Sequence, residues 1–189
     1  MSQPELLKKV IGVLNGAGID YMMTGSIVSS LQGEPRATHD IDIVILITDK
    51  GLSQLVHSFA SPAYFLDPDT IREAMEHQSM FNLIDLTDGD KVDFWILSDE
   101  PFDRSRFSRK YSQSFLGLEL LVSKPEDTIL AKLRWAKLSG GSEKQFVDAL
   151  RVYEVQYEVL DHDYLSKWAG KLGLENLWER LQKEAEIVP

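Results

Sequence analysis

The 189-residue chain is 43% hydrophobic and 26% charged, which excludes a disordered composition and leaves room for one domain, or one domain with a small appendage. Its formal net charge of −10 and pI near 4.8 disfavour a protein that works by neutralising a nucleic-acid backbone. There is no cysteine, so disulfides and thiolate metal sites are excluded. The sequence has neither a signal-peptide core nor a run of about 18 apolar residues, so the expectation is a soluble, cytoplasmic protein with no membrane span.

Ser2-Gln3-Pro4-Glu5 has the capping-box pattern. Leu6, Leu7, Val10, Ile11 and Leu14 follow at helical spacing until Gly16 and Gly18 stop the helix. Tyr21 to Thr24 reads as a short strand and Ser26 to Leu31 as a short helix, followed by a loop holding Gly33, Pro35 and Arg36. Asp40 to Ile47 is the next strand. Every residue after Asp42 in it is apolar, as expected of a strand covered on both faces. Leu52, Leu55, Val56 and Phe59 mark a third helix, and Asp67-Pro68 starts another.

Met80 to Thr87 and Lys91 to Leu97 read as a hairpin closed by a two-residue Asp88-Gly89 loop. Asp99 to Ser114 is polar and reads as irregular. Its Arg104, Arg106, Arg109 and Lys110 form either a patch for an acceptor or phosphates or, as is commoner, a solvated face balancing acidic neighbours. Leu116 to Val122 is the last strand. Ser123-Lys124-Pro125-Glu126 repeats the capping-box pattern and opens a helix to Leu138, and Ser142 opens the next. Two further helices, broken between Gly170 and Gly173, complete the chain. Trp95, Trp135, Trp168 and Trp178 are expected in the core. Strands precede residue 123 and only helices follow it, so the fold class is α/β (α+β), with a core over 1–122 and a C-terminal helical part over 123–189.

Asp40 and Asp42 stand at i and i+2 on a strand and so share a face, with Cα atoms roughly 6.6 Å apart. Two carboxylates heading so apolar a strand cost on the order of several kcal/mol if buried unpaired. A Mg²⁺ ion, which takes carboxylate oxygens and keeps water and phosphate ligands, removes that cost. The plainer reading is an ordinary solvent-facing pair at a strand end. Asp93, in the apolar run KVDFWIL, completes a three-carboxylate cluster if its strand lies beside that of Asp40, an arrangement suited to two-metal in-line displacement. Its plainer reading is a buried Asp paired with Lys91. Asp85 competes for this role, but across a two-residue loop it lies opposite Val92 and faces away.

Gly25-Ser26 sits where strand becomes helix, and exposed N–H groups at such a turn receive phosphate. Ser is also a common N-cap there. Arg36 and Thr38, just before Asp40, are candidates for a triphosphate tail, and Lys132 is a candidate for a phosphate. Isolated residues of these kinds more often face solvent. His39, His57, His77 and His162 lack metal-ligand spacing. P-loop, G-x-G-x-x-G and G-x-S-x-G motifs are absent.

The order Gly25-Ser26, Asp40-Ile41-Asp42, Asp93 resembles the nucleotidyltransferase superfamily typified by DNA polymerase beta. Its signature is Gly-Ser, a spacer, Asp-x-Asp and a later acidic residue on a neighbouring strand. Thirteen residues separate Ser26 from Asp40 here. The segments TGSIVSSLQGEPRATHDIDIVI, SKPEDTILAKLRWAKL and KQFVDALRVYEVQYEVLDHDYLSKWAGKLGL resemble the bacterial stand-alone branch near the AbiEii toxin and the minimal nucleotidyltransferases.

The resemblance implies a mixed sheet flanked by helices, with a C-terminal helical part closing over the nucleotide. It implies Mg²⁺, as a two-metal site, on Asp40 and Asp42 with Asp93 assisting, and the β and γ phosphates on Gly25 and Ser26. The implied reaction is attack of an acceptor hydroxyl on the α-phosphorus of an NTP such as ATP, with a toxin–antitoxin pair as one setting. The acidic balance favours a protein or small-molecule acceptor, and the Arg104–Lys110 group keeps tRNA open. His39 stands where an arginine is expected. The rival reading is a degenerate domain that keeps the fold as a nucleotide-sensing or protein-interaction module.

Overall fold

The computed structural model describes residues 2–60 and 62–187. The chain divides into two compact units, Met1–Thr24 with Thr38–Val122 and Gly25–Ala37 with Ser123–Pro189. The strands are β1 (Asp20–Thr24), β2 (Asp40–Leu46), β3 (Tyr64–Phe65), β4 (Met80–Asp85), β5 (Lys91–Ile96), β6 (Tyr111–Phe115) and β7 (Leu118–Val122). The helices are α1 (Gln3–Ala17), α2 (Gly25–Gln32), α3 (Asp49–Ser58), α4 (Pro68–His77), α5 (Pro101–Ser108), α6 (Pro125–Leu138), α7 (Glu143–Gln156), α8 (His162–Lys171) and α9 (Glu175–Glu184). Among the described residues no helix is long and apolar enough to cross a membrane.

All seven strands belong to the first unit and form one mixed sheet in the order β3-β4-β5-β2-β1-β7-β6. Two pairings are parallel, β2 with β5 and β1 with β7. The others are antiparallel. β2 lies between β1 and β5, which explains its composition: Ile41, Ile43, Val44 and Ile45 are all buried. On one face Val44 packs with Met22, Leu97 and Phe107, with Trp95 partly buried against them. Phe94, on the opposite face of β5, stacks on Phe81 of β4 at 5.1 Å. The first helix is capped as expected, with the backbone N–H and hydroxyl of Ser2 both donating to the Glu5 carboxylate.

Three local expectations change. The β4–β5 connection is a four-residue loop over 86–89, with Ile84 paired to Lys91 and the Asp85 N–H donating to the carbonyl of Asp90. The Asp85 carboxylate accepts from the Thr87 N–H at 2.8 Å, a local turn bond that competes with a tight two-residue turn. Asp85 therefore stands opposite Asp90 rather than Val92. It still lies on the face away from Asp93, because Asn82 is the residue opposite Asp93. The two-residue loop occurs instead between β6 and β7. Leu116 and Gly117, at φ of 51° and 74°, are both left-handed, as a type I′ turn requires.

The stretch 99–114 is consequently not irregular, since it holds α5 and β6. Pro101 starts α5, and Phe102 and Phe107 bury its apolar side. The basic group there is balanced by acidic neighbours. Arg104 pairs with Asp99, Arg106 with Asp103 at 2.8 Å, and Lys110 with Asp20 at 3.0 Å. These pairs match the balancing by acidic neighbours, but the Arg106 and Lys110 side chains are only 15% and 14% exposed, so the group is not a solvated face.

The second unit is helical. Ser123 does not close a capping box on α6. Its hydroxyl shares a 2.8 Å hydrogen bond with that of Thr128, and the Glu126 carboxylate accepts from the Asp161 N–H. Trp178 is buried and meets Tyr153 edge-on at 5.4 Å. Trp135, expected in the core, is instead 46% exposed. Just past α2, Gly33 approaches α7 so closely that a Cβ would lie 2.9 Å from the Arg151 carbonyl carbon and the Val152 nitrogen. Both are backbone atoms, which cannot rotate away. Gly33→Ala is expected to destabilise this unit by about 1–3 kcal/mol, the usual cost of overpacking, read from the denaturant midpoint. An unchanged midpoint would show that the two segments separate freely.

Candidate functional site

The carboxylates of the first unit are positioned by strand register. β2 and β5 run parallel with Asp40 beside Lys91 and Asp42 beside Asp93. Thr24, the last residue of β1, stands opposite Asp42 on the other side. Alternation along each strand therefore puts Asp40, Asp42, Lys91 and Asp93 on one sheet face at neighbouring positions, with adjacent strands about 4.8 Å apart. Asp40 and Asp42 are half-buried and Asp93 is buried.

Both oxygens of Asp93 are engaged. Oδ1 accepts from the Asn82 amide at 2.6 Å, and Oδ2 accepts from Lys91 Nζ at 3.0 Å. Lys91 is held above the ordinary lysine range. Its hydrogen bond to Asp93 outweighs partial burial, and the charges of Asp93, Asp40 and Asp42 add to the effect. Thr38 supports the head of β2, its hydroxyl accepting from the Asp40 N–H at 3.3 Å.

The second unit gathers Ser26, Arg36, Lys132 and Asp148. Gly25 has φ of 71°, a left-handed conformation open to glycine, and leads directly into Ser26 on the first turn of α2. Arg36 grips Asp148 with two parallel bonds of 2.8 Å, from Nε to Oδ1 and from Nη2 to Oδ2. Lys132 Nζ reaches the same Oδ2 at 2.7 Å. Both cations also donate to the Ser26 hydroxyl, Arg36 Nη2 at 2.8 Å and Lys132 Nζ at 3.5 Å. The Lys132 and Asp148 side chains are only 6% and 7% exposed. Burial pushes the Asp148 carboxyl upward, but hydrogen bonds and charge from Arg36 and Lys132 outweigh it and hold the carboxyl below the usual range. With Asp148 ionised this group carries one net positive charge beside the N-terminus of α2, whose dipole has the same sign.

No protein-family model and no curated protein matches the chain. Solved structures do. The antibiotic-resistance factor ANT(2'')-Ia in solution aligns with 92% of this chain and 97% of its own, at 12% identity and a TM-score of 0.52. The crystal structure of ANT(2'')-Ia in complex with adenylyl-2''-tobramycin aligns over 97% and 98%, at 11% identity and a TM-score of 0.51. An antigenic nucleotidyltransferase-like protein from Paracoccidioides brasiliensis aligns over 94% and 91%, at 15% identity and a TM-score of 0.49.

The fold is that of the nucleotidyltransferases.

Within this nucleotidyltransferase-type fold, the donor set on the first unit is oxygen only, which matches a hard divalent ion such as Mg²⁺. Among the described residues no group of three or more His, Cys, Asp or Glu side chains is gathered to hold a metal ion. Asp93 already makes two hydrogen bonds, to Asn82 and to Lys91. Mg²⁺ ordinarily takes one or two carboxylates from a protein and completes its octahedron with water and phosphate, and Asp40 and Asp42 are the residues that would hold one.

Two residues escaped the sequence reading. Asp148 lies in the helical part, where FVDAL gives no spacing that marks it, and its one signal was an acidic residue inside a buried helix face. Asn82 carries no pattern at all until the β4–β5 register is known.

Asp148→Asn removes the charge that Arg36 and Lys132 share and is expected to cost about 3 kcal/mol, the lower end for breaking a buried pair because Arg36 is partly exposed. The folded carboxyl titrates below its unfolded value. The wild type therefore keeps this contribution above about pH 4 and loses it as pH falls through the folded value. Denaturant midpoints of the two proteins should differ near neutrality and converge in acid; a gap independent of pH would mean that Asp148 is not held ionised.

Proposed function

We propose that the chain is a Mg²⁺-dependent nucleotidyltransferase that moves a nucleoside monophosphate from an NTP to an acceptor hydroxyl. The observation that carries this reading is Asp40 and Asp42 on one face at the head of the central strand, within a fold shared with ANT(2'')-Ia. Mg²⁺ held by Asp40 and Asp42 would neutralise charge developing on the phosphoryl oxygens. Asp93 is the third carboxylate of the trio.

Gly25 lets the backbone turn sharply into α2, whose first N–H groups and Ser26 suit the β and γ phosphates. Arg36 and Lys132 supply the matching positive charge, and Thr38 fixes the head of the Asp40 strand. In the transfer the acceptor oxygen forms a bond to the α-phosphorus, the bond from that phosphorus to the β-phosphate bridging oxygen breaks, and pyrophosphate leaves with both bonding electrons. The hydroxyl proton passes to solvent or to a nearby carboxylate.

ATP is the donor we favour, because one structural neighbour is in complex with an adenylylated compound. That compound is a small molecule, and the net charge of −10 attracts cationic acceptors and repels tRNA. A basic small molecule or a basic protein is therefore the preferred acceptor class. A toxin–antitoxin pair would be one setting for a protein acceptor.

A second reading has its own support. Asp93 is occupied by Lys91 and Asn82, and Arg36 and Lys132 by Asp148, so a domain that binds nucleotide without turning it over is consistent with the same contacts.

Thermal stability with each NTP, with and without Mg²⁺, separates the readings. Ligand at a hundred times its dissociation constant stabilises by about 2.7 kcal/mol, a melting shift of roughly 5–10 °C for a chain of this length. A Mg²⁺-dependent shift for one NTP, lost in Asp40→Asn/Asp42→Asn, is the expected result. Absence of any shift overturns nucleotide binding. Pyrophosphate release by the wild type, abolished in Asp42→Asn, distinguishes transfer from sensing.

A further inference from the structure

We propose that the apolar shelf of Phe65, Ile84 and Leu86 is a docking site for a basic protein segment, which crosses the carboxylate face of the sheet from this shelf and brings its hydroxyl to Asp40 and Asp42. This rests on the transferase reading above and narrows its acceptor to a protein.

Register places the shelf. Phe65 of β3 is the partner of Ile84 in β4, Ile84 is the partner of Lys91 in β5, and Lys91 is the partner of Asp40 in β2. Cross-strand partners share a face, so these four residues make one row on the carboxylate face. Leu86, two residues past Ile84, continues that face, with its N–H donating to the Ala63 carbonyl at 3.0 Å. Phe65 and Leu86 are 54% and 57% exposed, while their chain neighbours Tyr64 and Asp85, on the opposite face, are buried. At about 4.8 Å per strand, Phe65 lies roughly 14 Å from Asp40 along the row, a span of about four extended residues.

Charge names the occupant. The first unit carries 17 acidic and 9 basic residues, so −8 of the chain's −10 lies on the unit that bears the shelf. Asp88 and Asp90 follow Leu86 in the connecting loop. Arg72, Lys91, Arg104, Arg106 and Lys110 are each ion-paired inside the unit. Such a field repels nucleic acid, an anionic membrane and a second copy of this chain, and it attracts a basic partner. Small-molecule sites are concave and enclose most of their ligand, whereas Phe65 and Leu86 stand out from a sheet face. A protein segment covers both at once, with Phe65 as the aromatic anchor. β3 is two residues long and offers little backbone for strand pairing, so the contact is made through side chains.

The test uses fluorescein-labelled peptides of about 10 residues, long enough to span the row when extended. The first alternates leucine with lysine in one half and serine with lysine in the other. The second has serine in place of every leucine, and the third has glutamate in place of every lysine. Anisotropy titrations at about 0.15 M salt, where diffuse attraction is screened beyond about 8 Å, compare the wild type with Phe65→Ser/Leu86→Ser. Circular dichroism checks the fold, and the two single variants serve if the double variant does not fold.

The wild type is expected to bind the leucine–lysine peptide about tenfold or more tighter than the serine–lysine peptide, to bind the glutamate peptide least, and to lose the leucine preference in the variant. With ATP and Mg²⁺, the mass of a nucleoside monophosphate is then expected on a serine of the first peptide. Equal binding of the two lysine peptides, or a leucine preference that survives in the variant, overturns the shelf and leaves the transferase reading standing. Tighter binding of the glutamate peptide overturns the basic partner. An NTP-dependent melting shift with no mass added to the bound peptide overturns the acceptor role alone. A leucine preference lost in the variant, with no melting shift from any NTP, overturns the transferase reading and with it the acceptor role, and keeps the shelf as a docking site.

Discussion

Everything at the carboxylate face depends on one register: β2 lies parallel to β5 with Asp42 beside Asp93. A shift by one residue would turn Asp93 to the opposite face and bring Val92 or Phe94 in its place. Burial prevents that shift. Val92 and Phe94 are fully buried on the far side of the sheet, and Phe94 is stacked on Phe81. The apolar residues of β5 thus hold the polar one in position. The same holds for β2, where Ile41 and Ile43 alternate with Asp40 and Asp42 and are completely excluded from water.

The helical unit solves a different problem. Three charged side chains and a hydroxyl share one small volume, two of the charges almost wholly buried. Such a group is tolerated because Asp148 accepts from both cations at once and Ser26 takes a further bond from each. The arrangement leaves an excess of positive charge held at fixed positions rather than on long free side chains. Cations held in this way would lose little freedom on meeting an anion, the general advantage of preorganisation.

Much of the architecture was legible in residue patterns. The apolar run after Asp42 identified a doubly covered strand, and Asp67-Pro68 and the Ser2–Glu5 box identified helix starts. The Asp-x-Asp pair could be placed on one face from period two alone. The hairpins show where such reading stops. Asp88-Gly89 has the residues of a two-residue turn, yet the Asp85 carboxylate engages its own backbone and the loop lengthens. Leu116-Gly117 lacks the usual first residue and makes the tight turn nonetheless, because Phe115 and Leu118 pair directly across it. Lys132 stood out as a phosphate candidate with a surface lysine as the plainer reading, and its burial against Asp148, sixteen residues away, could not be seen. The pairing of Asn82 with Asp93 needs the register of two strands, and no local window contains it.

The two borders of the sheet differ from its centre in what they offer a foreign strand. At one end β3 is only two residues long. At the other, β6 presents Ser112 and Ser114 to solvent, and Ser112 is already bonded to Glu119 of β7 at 2.7 Å. Short or polar margins of this kind give an incoming chain little backbone to pair with and no apolar stripe to cover. Growth of the sheet by strand addition, a common route to unintended self-association in β-containing proteins, is thereby discouraged at both ends.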